Sequence, residues 1–147
     1  MTAIQHPFSR VLLPLNADQL STSTVEYAAK LGELYGVTLT LLFVHEFAGH
    51  NAGPGFAVES TEQTAQRINQ LVETEINPLL GGTPVDQVLI RTGKPADEII
   101  AAADELDADL VVMGTRGKTG LQHMIMGSVT EKVVHLINRP VLAVPVR

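Results

Sequence analysis

Five short aliphatic runs, separated by four stretches of helical periodicity, restrict the possible folds of this chain more than any other feature. The runs are "RVLLPL" (10–15), "TLTLLFVH" (38–45), "DQVLIRT" (86–92), "DLVVMG" (109–114) and "RPVLAVPV" (139–146), bounded by Gly, Pro or Asp. Strands this apolar need cover on both faces, which points to a parallel sheet between helical layers rather than to half-exposed hairpins.

The intervening segments carry helix signals. Ser23-Thr24-Val25-Glu26 reads as a capping box, followed by Val25, Ala28, Leu31 and Leu34 at helical spacing and a stop at Gly36. A second helix is expected to bury Ala65, Ile68, Val72 and Ile76 and to stop at Pro78. The third starts at Pro95, has Asp97 and Glu98 beside its positive end, and turns Ile99, Ala103 and Leu106 inward. The fourth begins near Ser128 and runs Val129, Val133, Leu136, Ile137. Strict βα alternation with right-handed crossovers predicts a doubly wound α/β fold, a five-stranded parallel sheet with four helices, for which the order 3-2-1-4-5 is taken as the expectation. The 147 residues suit one domain, 1–147. Residues 46–57, "EFAGHNAGPGFA", read as a Gly- and Pro-rich loop placed to cover a site.

Composition removes several function classes. Ten Lys and Arg against sixteen Asp and Glu leave a net charge of −6, so a nucleic-acid partner is not expected. With no cysteine there is no disulfide, thiolate metal site or Cys nucleophile. The apolar stretch near the N-terminus, about six residues broken by Pro14, is too short for a signal h-region, and no run reaches a membrane span. A cytoplasmic location without membrane insertion is the expectation.

In this fold class ligands bind beyond the carboxyl ends of the strands, where strand order reverses. Here that point lies between strands 1 and 4, flanked by "PLNAD" (14–18) and "GTRGKTGLQ" (114–122). Gly117-Lys118-Thr119 imitates the end of a P-loop, but the Gly required five residues earlier is Val112. The dinucleotide fingerprint G-x-G-x-x-G is missing after strand 1. His45, Glu46 and His50 do not make H-E-x-x-H, because position 49 is Gly. A phosphoacceptor receiver domain is disfavoured as well, since strand 3 ends in Arg91-Thr92-Gly93 and strand 5 in Val144-Pro145.

The loop after strand 4 does contain Gly114-x-x-Gly117, nine residues, then Gly127-Ser128 at a helix start. Gly127-Ser128-Val129-Thr130 offers amides and two hydroxyls at a positive helix end, an anion site. Residues 110–130 hold two cations, Arg116 and Lys118, and no anion, which suits phosphate.

This spacing resembles the G-2x-G-9x-G-(S/T) motif of the ATP-binding branch of the universal stress protein family, whose fold is adenine nucleotide alpha hydrolase-like. The likeness extends over "RVLLPLNADQLS", "TLTLLFVHE", "TGKPADEII" and "GSVTEKVVHLINRPVLAVPV". It implies an ATP site. The backbone of Val44 would meet adenine, and Pro14, Leu15 and Asn16 would line the nucleoside pocket. Met113, Gly114, Thr115, Arg116, Gly117 and Lys118 would pass over ribose and phosphates. Gly127, Ser128, Val129 and Thr130 would hold the phosphates. It also implies a homodimer, or a higher oligomer, paired through strand 5 (Val141, Leu142, Ala143, Val144), and an unidentified protein partner. Asn16 stands where the family commonly has Asp and cannot offer charge to a metal, so ATP is carried over with or without Mg²⁺. Asp18 is the remaining carboxylate there. No catalytic residue is assigned. The expected role is a stress-response regulator read through nucleotide occupancy. The alternatives are a slow ATPase or phosphotransferase, or a nucleotide-free structural dimer.

Overall fold

A computed structural model describes residues 8–46, 60–115 and 127–146. The elements are β1 Arg10–Leu15, α1 Thr22–Tyr35, β2 Thr38–His45, α2 Thr61–Leu71, a π turn Val72–Ile76, α3 Asn77–Leu80, β3 Val85–Thr92, α4 Pro95–Glu105, β4 Leu110–Gly114, α5 Ser128–Leu136 and β5 Val141–Val144. The five strands form one sheet in the order β3-β2-β1-β4-β5, every neighbouring pair parallel. The doubly wound reading of the sequence therefore holds.

The continuous apolar strands are explained by two cores. Val11, Leu13 and Leu15 of β1 join Leu39, Leu41 and Phe43 of β2 beneath α1, α2 and α3, with Val25, Ile68, Val72 and Ile76 from the helices. Leu12 and Leu42 point to the opposite face, against Ile99, Ala103 and Val133 of α4 and α5. Successive side chains alternate faces, and both faces are dry. Full burial of a Leu such as Leu12 or Leu13 contributes about 1.5–3 kcal/mol, so β1 alone supplies several such contributions.

One irregularity in the sheet locates the crevice. β1 pairs with β2 along its whole length but with β4 only at Val11↔Leu110 and Leu12↔Val111. Pro14, which has no N–H to give, falls beyond the last β1–β4 pair. The strands part there, at the topological switch point.

Several boundaries differ from expectation. The N-cap of α1 is Ser21, not Ser23: its backbone is extended and its Oγ accepts from the Thr24 amide at 3.2 Å. Leu34 is 65% exposed, because nine residues at about 100° each carry it half a turn away from Val25. Gly32 instead faces inward, packed on Thr83. Ala65 is only half-buried, and Thr64 is buried in its place. The second helical segment does not stop at Pro78. The Asn77 amide bonds the Val72 carbonyl, a five-residue step that widens the ladder just before the proline and lets the chain continue to Leu80. Ser60 and Gln63 form a reciprocal capping box at the start of α2. β5 is shorter than 139–146 because Pro140 and Pro145 flank it. At the end of α5, Leu136 is exposed and Ile137 packs inward instead. Most of the loop expected over 46–57 lies outside the described residues. Among the described residues no helix is long and apolar enough to cross a membrane.

Candidate functional site

At the carboxyl end of β1 the chain must turn sharply into α1, and Asn16 builds that turn. Its Oδ1 accepts from the Asp18 amide at 2.9 Å and the Gln19 amide at 3.3 Å. Asp18 in turn faces Arg67 of α2, whose guanidinium lies 3.4 Å from Oδ1. Pro14 is half-buried, and the Leu15 side chain is in the core beneath α1 and α2. Leu15 thus has only its backbone to present to a ligand. The same is true of Met113, whose side chain is buried beneath α4 and α5. Val44 is half-buried near the end of β2, in register with Arg91 of β3.

The end of β4 is joined to α5 and β5 by three hydrogen bonds. The Thr115 amide donates to Val144 O at 2.9 Å, the Gly127 amide donates to Thr115 O, and the Thr130 hydroxyl donates to Gly114 O at 2.7 Å. Residues 115 and 127 are therefore brought together although the segment 116–126 separates them. Thr130 is 3% exposed, so its hydroxyl serves this joint. Gly127 is the N-cap, not Ser128, and it makes no side-chain cap. The amides of Ser128, Val129 and Thr130, in the first turn of α5, have no partner within the helix, and the Ser128 side chain is exposed beside them. This is a positive helix end tied to the carboxyl end of β4.

Gly114, carried over as passing over ribose and phosphates, has no positive φ. A Cβ there would lie 2.7 Å from Val146 Cγ2 and 3.2 Å from Thr24 Oγ1. The glycine is required by close packing of β4 against α1 and the segment after β5. Arg116, Gly117 and Lys118 lie outside the described residues.

Two residues that the sequence reading missed belong to this region. Arg67 pairs with Asp18 across 49 positions, a distance that helical periodicity cannot signal. Thr24, 1% exposed, stands against Gly114 and bonds Ser21 through its hydroxyl at 2.7 Å. A separate groove of about 770 Å³ opens on the flank, lined by Tyr27, Lys30, Glu33, Leu79 and Thr83. It shares no residue with the crevice and is not at a strand's carboxyl end.

Of the shifted ionisable groups, Asp109 and Arg139 precede β4 and β5 at the opposite end of the sheet, whereas Arg91 lies at the carboxyl end of β3 in register with Val44. Burial pushes the Asp109 carboxyl up, but hydrogen bonds from the Ser9 hydroxyl and from the Arg10 and Ser9 amides outweigh it and hold the group below its ordinary value. Those bonds are 2.7, 2.8 and 2.9 Å long. Arg91 pairs with Glu105 and lowers its carboxyl, and Arg139 pairs with Asp104 and Asp107.

With this geometry in place, comparison with known proteins is informative. The model of the universal stress protein family matches residues 7–145. A universal stress protein of Thermus aquaticus is 30% identical over 137 residues, covering 93% of this chain and 98% of that protein. Two solved structures share the fold. A universal stress protein of Archaeoglobus fulgidus in complex with dAMP has a TM-score of 0.63 at 24% identity, covering 93% of this chain and 98% of the other. A universal stress protein in complex with cAMP has a TM-score of 0.65 at 20% identity, covering 94% and 97%.

Proposed function

The chain belongs to the universal stress protein family, and from that premise we propose that it binds ATP in the crevice between β1 and β4 and acts as a nucleotide-responsive regulator. One observation carries the reading. β1 and β4 are neighbours whose last pair is Leu12↔Val111; the Asn16 turn follows β1, and the first turn of α5 is tied to the carboxyl end of β4 by the Thr130–Gly114 and Gly127–Thr115 bonds. Unpartnered amides at a positive helix end are what a phosphate needs, and the backbone of Val44 provides an edge for adenine. The fold relatives that hold dAMP and cAMP support adenine as the base. The residues proposed to contact the nucleotide are Pro14, Leu15, Asn16, Val44, residues 113–118 and Gly127 to Thr130.

Regulation is preferred to catalysis because two of the described groups that could do chemistry are engaged. The Thr130 hydroxyl is donated to Gly114, and Asp18 faces Arg67. Hydrolysis needs a positioned water or in-line nucleophile, and neither residue is available to orient one. Occupancy would be felt beyond the site through Thr115, whose amide is bonded to Val144 of β5. β5 is an edge strand, with β4 on one side only. We place a two-fold antiparallel pairing of Val141 to Val144 on its open side.

The test is direct. Freshly purified protein is denatured and the released small molecules are identified by chromatography and mass spectrometry, with calorimetric titration of ATP into nucleotide-free protein. A bound adenine nucleotide and a saturable isotherm are expected. Absence of both would overturn the reading.

A further inference from the structure

We infer that this chain takes its nucleotide without a divalent cation held by the protein, an inference that rests on the nucleotide reading above. Mg²⁺ bound alongside a nucleotide is gripped by one or two carboxylates together with the phosphates. Among the described residues, the side chains after β1 and at the start of α4 do not fit that task. Asn16 has a carbonyl oxygen with two lone pairs, and two backbone amides, those of Asp18 and Gln19, already use them at 2.9 and 3.3 Å. What remains of that side chain is its NH₂, a donor that repels a cation and suits a phosphate or ribose oxygen. Asp18 lies beside Arg67 at 3.4 Å. In the first turn of α4, at the carboxyl end of β3, Asp97 lies 3.2 Å from Lys132 and Glu98 lies 3.8 Å from Arg91. Each of these three carboxylates already has a cationic neighbour. Among the described residues no three His, Cys, Asp or Glu side chains come together to hold a metal.

Among the described residues, the groups offered to phosphate at this site are hydrogen-bond donors, the α5 amides and the Asn16 NH₂, beside the proposed loop cations Arg116 and Lys118. Asn16 is the residue that makes this difference. An Asp in its place could keep the turn by accepting from the same two amides while adding a full negative charge at the crevice.

The experiment is calorimetric titration of ATP into the whole protein, at matched ionic strength, once with Mg²⁺ and once with EDTA. The same pair of titrations is run on Asn16→Asp, an exposed and nearly isosteric change. Dissociation constants for the parent protein are expected to agree within about threefold, whereas Asn16→Asp should bind about tenfold more tightly with Mg²⁺ than without. Parent binding that is tenfold or more tighter with Mg²⁺ would overturn this inference and leave the nucleotide reading standing. An Asn16→Asp protein as indifferent to Mg²⁺ as its parent would overturn the assignment to Asn16. No binding under either condition would overturn both readings.

Discussion

The Thr130 hydroxyl donates to the Gly114 carbonyl at 2.7 Å, tying the first turn of α5 to the last residue of β4. With the Gly127–Thr115 bond beside it, this contact sets where the α5 amides sit relative to the strand ends. It is buried, so water cannot replace it.

Thr130→Val keeps the shape of the side chain and removes the donor, leaving a carbonyl without its partner. The expected loss of stability is about 1–3 kcal/mol in urea denaturation. If the bond also positions the proposed phosphate site, ATP affinity should fall in Thr130→Val and return in Thr130→Ser. A Val variant with parental stability would show that the hydroxyl contributes nothing.

Gly32 tests the packing of α1 on the turn before β3. A Cβ there would lie 2.8 Å from Thr83 Cβ and closer still to Thr83 Oγ1 and Cγ2. Gly to Ala in a helix normally gains about 1 kcal/mol, but overpacking of this kind costs about 1–3 kcal/mol. Gly32→Ala should therefore lower the melting temperature, and Thr83→Ala in the same chain should recover part of the loss. A more stable Gly32→Ala protein would mean that the turn moves aside freely.

How far the sequence reveals this molecule depends on the range of the interaction. The parallel sheet and the two-sided cores follow from aliphatic runs such as "RVLLPL", because a strand buried on both faces leaves a local record. Caps were less legible: Ser21, Ser23 and Thr24 are all competent, and the choice of Ser21 depends on where β1 delivers the chain. The π turn before Pro78 could not be read, since proline ordinarily ends a helix and the compensation lies in an Asn77–Val72 bond. The glycine spacing drew attention to the two ends of the loop after β4, whereas the close packing of Gly114 against Val146 and Thr24, distant in sequence, left no local record. The Arg67–Asp18 pair is likewise a tertiary event, and no periodicity encodes it.

Acid sensitivity should centre on Asp109. Its carboxyl is held below the ordinary 3.8 in the folded chain by the Ser9 and Arg10 hydrogen bonds, against the opposing effect of burial. A depressed folded value adds stability that is complete above the unfolded value and lost as pH falls through the folded one. Urea midpoints should thus decline as pH drops below about 4, and Asp109→Asn should flatten part of that decline. Glu105, lowered by Arg91, contributes in the same window, so the flattening is incomplete. An unchanged profile in Asp109→Asn would remove Asp109 from the account.

The last prediction joins the two halves of the proposed function. The Thr115 amide is bonded to Val144 O at 2.9 Å, and Gly114 lies in register with Val144, so the end of the proposed nucleotide loop and the end of the open-edged strand are one hydrogen-bonded unit. If β5 pairs across a two-fold axis, Ala143→Glu sets like charges near one another at the edge and should convert a dimer to a monomer in sedimentation velocity. Linkage then makes a stricter demand. Whatever factor ATP applies to dimerisation, dimerisation must apply to ATP affinity, and coupling energies of this kind correspond to about 5- to 150-fold. Sedimentation of the parent with and without ATP gives the factor from one side, and calorimetry on Ala143→Glu gives it from the other. A parent that sediments as a monomer would refute the β5 pairing. A stable dimer whose constant ATP does not change, beside a monomeric variant that binds ATP like its parent, would refute the coupling while leaving both sites in place.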